Sequence, residues 1–249
     1  MIKYIYIIII YMAFSSFALA ASGEGTFNLA GAGALVATSP YAGVSTKTQV
    51  IPFLFAEYKG FYIKGIEAGY HLIQKDPWTL SMITTPRLMG YSSQDSGALN
   101  GMEDRRMSLD GGIRADYALP GGLAVITAKA LTDVLSRYDG SAYELSVSRT
   151  FKGKIFRLQP SAGVHYLDRT LVGYYYGVKD NEVRAGRDAY APGGGVDPFA
   201  NVVFTCGISQ QLIVVTRVGI ESLSDEIRKS PIVDKSYVMS AAAGLTYRF

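Results

Sequence analysis

From residue 27 to the carboxyl end, polar and apolar positions alternate in stretches of about ten residues. Around 105–119, Met107, Leu109, Ile113 and Tyr117 share one side, while Arg106, Ser108, Asp110, Arg114 and Asp116 share the other. Val214, Thr216, Val218 and Ile220 likewise oppose Arg217 and Glu221. In the last stretch Tyr237, Met239, Ala241, Ala243, Leu245, Tyr247 and Phe249 oppose Ser240, Thr246 and Arg248. A period of two is the signature of a strand with two different faces. Breakers separate the stretches: Lys59-Gly60, Lys75-Asp76-Pro77, Pro120-Gly121-Gly122 and Lys152-Gly153-Lys154. The pattern predicts strands over 27–37, 48–58, 61–73, 78–90, 105–117, 122–134, 141–151, 155–167, 171–178, 198–208, 211–223 and 237–249.

A soluble sandwich alternates too, with its apolar face turned inward. Here the charged residues recur in mid-strand, and Tyr is abundant near strand ends, as membrane-interface girdles require. The chain stops on Phe249, with Tyr247 and Leu245 on the same face. That ending resembles the assembly signal of outer-membrane proteins. The expected fold is therefore all-β, a transmembrane antiparallel β-barrel of about 12 strands, with 10 as the alternative if 171–178 and the first strand are lost. Its partners would be outer-membrane lipid and the barrel-assembly machinery. An even count puts both termini in the periplasm, 92–103 beside them, and the Gly-rich, charged 179–197 segment outside.

The first residues read as a targeting segment. Lys3 is the only charge before Glu24, residues 4–17 are apolar, and Ala18-Leu19-Ala20 supplies a small-x-small cleavage site. A spanning helix needs about 20 apolar residues, which this run lacks. The expected organisation is a cleaved signal peptide over 1–20 and a barrel over 21–249, exported to the outer membrane of a Gram-negative cell.

Composition removes several chemistries. A net charge of +3 gives no concentrated basic patch for nucleic acid. One Cys makes no intrachain disulfide, and one Cys with two His makes no ordinary zinc site. Triad catalysis would need His71 or His165, both on the lumenal face; Ser161 lies four residues from His165, about 13 Å along a strand. The lumenal acids Glu67, Asp110, Asp133, Glu144 and Glu221 meet comparable numbers of bases in Arg87, Arg106, Arg114, Lys129 and Arg217. Mutual ion pairing accounts for them more simply than a glycosidase pair. Gly193-Gly194-Gly195 has no Lys-Ser/Thr after it, and Gly31-x-Gly33 lacks a third Gly and a helix. Cys206 falls on the lipid face. The expectation is a protein that is no enzyme, with no catalytic residues, metal or cofactor.

Five short motifs follow one another in order: Pro40-Tyr41-x-Gly43, Gly101-Met102-Glu103-Asp104-Arg105, Tyr175-Tyr176-Gly177-Val178, Ser230-Pro231-Ile232-Val233 and Gly244-Leu245-x-Tyr247-x-Phe249. Together they resemble the MipA/OmpV family of outer-membrane proteins, MipA standing for MltA-interacting protein. The resemblance implies a non-enzymatic scaffold linking a lytic transglycosylase with a murein synthase in peptidoglycan remodelling. A narrow channel or an adhesin is the alternative. On the expected topology the largest periplasmic surface is 92–104, so Met102, Glu103, Asp104 and Arg105 are the candidate partner-binding residues. Leu245, Tyr247 and Phe249 are the candidate assembly signal.

Overall fold

The computed structural model describes residues 29–249, so the expected signal peptide lies outside the described residues. Twelve strands follow: β1 Leu29–Thr38, β2 Thr46–Tyr58, β3 Phe61–Gly65, β4 Glu67–Lys75, β5 Trp78–Arg87 and β6 Ser108–Ala118. The second half holds β7 Val125–Asp133, β8 Ser141–Ser148, β9 Phe156–Leu167, β10 Gly195–Gly207, β11 Leu212–Ser222 and β12 Tyr237–Arg248. Phe151–Lys152 extends the β8–β9 hairpin by two residues. Every strand pairs antiparallel with its chain neighbours, and β12 returns to β1 from Leu29↔Arg248 to Ala37↔Ser240. The sheet is a closed barrel. Among the described residues no helix is long and apolar enough to cross a membrane.

The alternation turns apolar side chains outward. Tyr58, Phe61, Trp78, Tyr247 and Phe249 form an exposed aromatic girdle at one rim, and Tyr143, Tyr166 and Tyr237 do so at the other. The faces expected for β6, β11 and β12 are those observed, and Cys206 points outward between Phe204 and Ile208.

Two elements differ from expectation, and the differences compensate. The 61–73 stretch is not one strand. It folds back at Gly65, whose φ of +69° is a conformation glycine adopts without steric cost, so that Lys64 pairs with Glu67. The 171–178 stretch is not a strand: residues 171–176 belong to helix α1, Arg169–Tyr176, and Gly177 ends it. Asp168 caps it by accepting from the Leu171 N–H at 2.8 Å, and Leu171, Val172, Tyr175 and Tyr176 bury one side of it. Its tyrosines and Val favour strands locally, but burial against the loops decides otherwise. One strand gained and one lost leave the count at twelve.

The sides of the membrane do not survive that exchange. The connections 39–45, 88–107, 134–140, 168–194 and 223–236 all lie at one end, while 59–60, 76–77, 119–124, 149–155 and 208–211 lie at the other, with Leu29 and Arg248. Outer-membrane barrels keep short turns in the periplasm and long loops outside. The 92–103 segment is therefore an outer loop beside 179–197, not a periplasmic one. The extra turn at Gly65 reverses the direction of every strand from β4 to β9.

The hairpin tip at Gly65 also notches the wall. Residues 46–53 of β2 pair with β1 alone, because β3 reaches only to Leu54. The 88–107 loop backs this notch: Lys47 Nζ donates to the Gly90 carbonyl at 2.9 Å and to Asp95 at 2.8 Å.

Candidate functional site

All five long loops meet in one apolar core over the outer mouth. Tyr41 of the first packs edge-on against Tyr91 of the second, with centroids 4.6 Å apart, and stacks on Tyr176 of α1 at 5.7 Å. Tyr138 of the third loop lies 5.9 Å from Tyr175. Leu223 and Ile232, with Ile227 from the short helix α2, Asp225–Arg228, complete the core from the fifth loop. Leu99, Leu171, Val172, Tyr175, Ile227 and Ile232 are fully buried. Backbone bonds hold the loops: the Ala42 N–H donates to the Ile232 carbonyl at 2.9 Å, joining the first and fifth, and Tyr91 and Arg105 bond in both directions at 2.9 Å, closing the second on itself. Ser230 Oγ donates to the Tyr176 carbonyl at 2.6 Å. Loops from five sides of the rim, sharing one dry core, form a cap.

A buried ion pair locks it. Arg105 donates to both oxygens of Glu182, at 2.8 and 2.9 Å, with 2% and 1% of the two side chains exposed. Its Nε donates to the Tyr174 carbonyl at 2.6 Å, and the guanidinium lies 5.9 Å from the Tyr91 ring. Arg187 crosses to the Ala98 and Asn100 carbonyls, joining the second and fourth loops. Lys179 donates to Glu103 at 2.6 Å, which holds that carboxyl below the usual carboxylate range. The Ser93 N–H, at 2.7 Å, does the same for Asp104. Burial raises the Tyr41 hydroxyl well above the ordinary phenol value.

The predicted partner-binding residues are thus parts of the cap. Met102 and Arg105 are buried, Glu103 and Asp104 are exposed, and all four stand at the end opposite the periplasmic turns. Four of the five motifs converge here through Tyr41, Met102, Arg105, Tyr176, Ser230 and Ile232. Glu182, Arg187 and Tyr91 carry as much of the cap, and sequence reasoning missed them. Glu182 sits in a charge-rich stretch that reads as solvated, and nothing local couples it to Arg105. Leu245, Tyr247 and Phe249 lie on the lipid face of the closing strand, the two rings 5.2 Å apart.

Below the cap the lumen carries the expected ion pairs. Glu67 accepts from Arg114 at 3.0 Å and faces Lys129 at 3.2 Å, and Lys129 reaches Glu144 at 3.2 Å. His165 continues the chain between Glu144 at 3.7 Å and Glu221 at 2.8 Å. Arg87 pairs with Asp110 at 2.5 Å. Three of the named charges form no salt bridge among the described residues. Arg106 is exposed in the cap, Asp133 accepts from Ser108 and several loop N–H groups, and Arg217 donates to Asn201 at 2.8 Å. The other half of the lumen is apolar: Phe53, Ile213, Val215 and Ala242 pack together. A cavity of about 260 Å³ opens toward the turns, lined by Thr79, Arg114, Asp116, Ser148 and Gln159 among others.

One grouping has the residue types of a hydrolase. His71 Nδ1 lies 2.8 Å from Ser81 Oγ, and its Nε2 lies 3.8 Å from Glu57. Ser81 is completely buried, so no substrate carbonyl reaches its oxygen in this arrangement. His71 stacks on Tyr62 at 4.5 Å and serves as packing.

A closed twelve-strand wall, two aromatic girdles and long loops confined to one end define a bacterial outer-membrane β-barrel. The sequence matches the description of the MltA-interacting protein MipA family over residues 30–249, and the chain belongs to that family. Among its relatives are the putative outer membrane protein YiaT of Escherichia coli strain K12, 28% identical over 88% of this chain and 89% of that one. The MltA-interacting protein of the same strain is 26% identical, with 92% of each chain covered. The outer membrane protein OmpV of Vibrio cholerae is 27% identical over 65% and 62% of the two chains. Among solved structures, the translocator domain of the autotransporter NalP from Neisseria meningitidis is similar in fold. Its TM-score is 0.50 at 12% identity, covering 94% and 92% of the chains.

Proposed function

We propose that this protein is a non-conducting interaction barrel, working from the periplasmic face as a scaffold for murein-remodelling enzymes. The observation that carries this reading is the cap. Five loops packed into one core cover the outer mouth, and the ion-pair chain from Glu67 to Glu221 crosses the lumen beneath it. A relative named MltA-interacting protein supports a murein hydrolase as the partner.

On this topology the contact surface belongs to the periplasmic turns. A contact role for Met102, Glu103, Asp104 and Arg105 would be an outer-face role, since they stand in the cap. The test is photo-crosslinking in intact envelopes from a probe placed at Leu123, in the 119–124 turn, with a second probe at Glu103. Recovery of a lytic transglycosylase or murein synthase from Leu123 alone supports the scaffold. Recovery from Glu103 alone, or from neither, contradicts it.

A further inference from the structure

Besides Arg248 at the end of the closing strand, six exposed cations stand on or beside the periplasmic turns: Lys59, Lys75, Arg149, Lys152, Lys154 and Arg157. None of the six takes part in a salt bridge among the described residues; Lys47, Arg105 and Lys179 of the cap do, while the exposed Arg106, Arg137 and Arg169 of the outer loops do not. Asp76 is the one acidic side chain within the five turns themselves. An excess of positive charge, left unpaired at one rim, calls for an outside counter-charge.

The neighbours of these cations give its depth. Each stretch interleaves cations with lipid-facing apolar residues: Tyr58-Lys59-Gly60-Phe61, Lys75-Asp76-Pro77-Trp78, and Arg149-Thr150-Phe151-Lys152-Gly153-Lys154-Ile155-Phe156-Arg157. Phe61, Trp78 and Ile155 are 63%, 56% and 68% exposed. The Arg149 guanidinium lies 4.9 Å from the Phe151 ring, and Lys59 Nζ lies 5.2 Å from the Tyr58 ring. Aromatic side chains of a barrel settle at headgroup level. Cations held against them stand at the depth of lipid phosphates, not out in the periplasm where a soluble partner would meet them.

We propose that this rim binds anionic phospholipid headgroups of the periplasmic leaflet, fixing the height of the turns against the membrane. The inference does not depend on the scaffold reading. Trp78 is the sole tryptophan of the chain and belongs to the rim, so its fluorescence reports on the lipids around it.

The refolded full-length barrel is placed in vesicles of phosphatidylglycerol and phosphatidylcholine, with one or the other lipid brominated near the top of an acyl chain. At equal mole fraction, brominated phosphatidylglycerol should quench Trp78 as though enriched about twofold or more. In roughly 1 M salt, where the Debye length falls to about 3 Å, that preference should vanish. It should vanish also when all six cations are changed to Gln. The salt arm uses the unaltered protein, so it decides the matter even if the sixfold variant fails to fold. Equal quenching by both lipids overturns the proposal, as does a preference that survives salt or neutralisation of the six. Absence of lipid preference, with binding to purified sacculi that the sixfold variant loses, would assign the rim to anionic murein and overturn it equally.

Discussion

Neither Arg105 nor Glu182 can turn to water, with 2% and 1% of their side chains exposed. Removing one partner of such a pair leaves a buried charge unanswered, at about 3–5 kcal/mol. Arg105→Met should therefore open the cap while the barrel below stays folded. The expected result is cleavage at 92–105 or 177–187 by protease added to intact cells, with the heat-shifted gel mobility of the barrel unchanged. Acid should loosen the same loops. Glu103 and Asp104 are held below the usual carboxylate range, so their contribution is complete above an unfolded-state value of about 4. It is lost as pH falls through the lower folded values. Hydrogen exchange of the 92–105 loop, corrected for its intrinsic pH dependence, should accelerate in that window, and Asp104→Asn should show faster exchange already at neutral pH.

Among the strands, Phe53 packs on a closely fitted part of the wall. A Cβ on Gly33 or Gly244 would come within 2.6 Å of its ring, so the two glycines form its seat. Gly244→Val should cost about 1–3 kcal/mol by overpacking, and Phe53→Leu should recover part of it. Thermal melts of the single and double variants in detergent check this; additive effects would mean that the ring does not rest on Gly244. The closing strand gives a second expectation. Tyr247 and Phe249 face lipid beside the β1–β12 seam, so deleting Phe249 should lower outer-membrane levels sharply. Arg248→Gln should assemble nearly normally. Equal levels for both variants would remove the terminal pattern as a signal.

The strands themselves were legible because period-two alternation is imposed by lipid on one side and a polar lumen on the other. What alternation does not encode is a change of direction. At Ile63-Lys64-Gly65-Ile66-Glu67 the alternation slips by one position, and the β3–β4 turn, with a positive φ at Gly65, stands there. The helix was hidden in another way. Asp168 is a good N-cap, but Tyr174, Tyr175 and Tyr176 suit a strand as well, and the loops that bury them are far away in sequence. The lumenal pairing of Glu67, Arg114, Lys129 and Glu144 could be read from faces alone. The pairing of Arg105 with Glu182 could not, because 77 residues separate them and neither lies on a strand.

At the scale of the whole molecule, two ends with different tasks result. The outer end spends its loops on a dry core that carries most of the family's motifs. The periplasmic end has short turns, a cavity of about 260 Å³ and a rim of unpaired cations. Such a molecule touches the exterior through a fixed surface and the envelope through its turns.

A barrel sealed by its cap and lumenal ion pairs carries no current, and conductance across a planar bilayer measures this. Protein whose insertion has been verified by its heat-shifted mobility should give no steady open-channel current at either polarity. A stable single-channel current from the unaltered protein would mean that the barrel is open, with ions crossing past the cap and the Glu67–Glu221 chain.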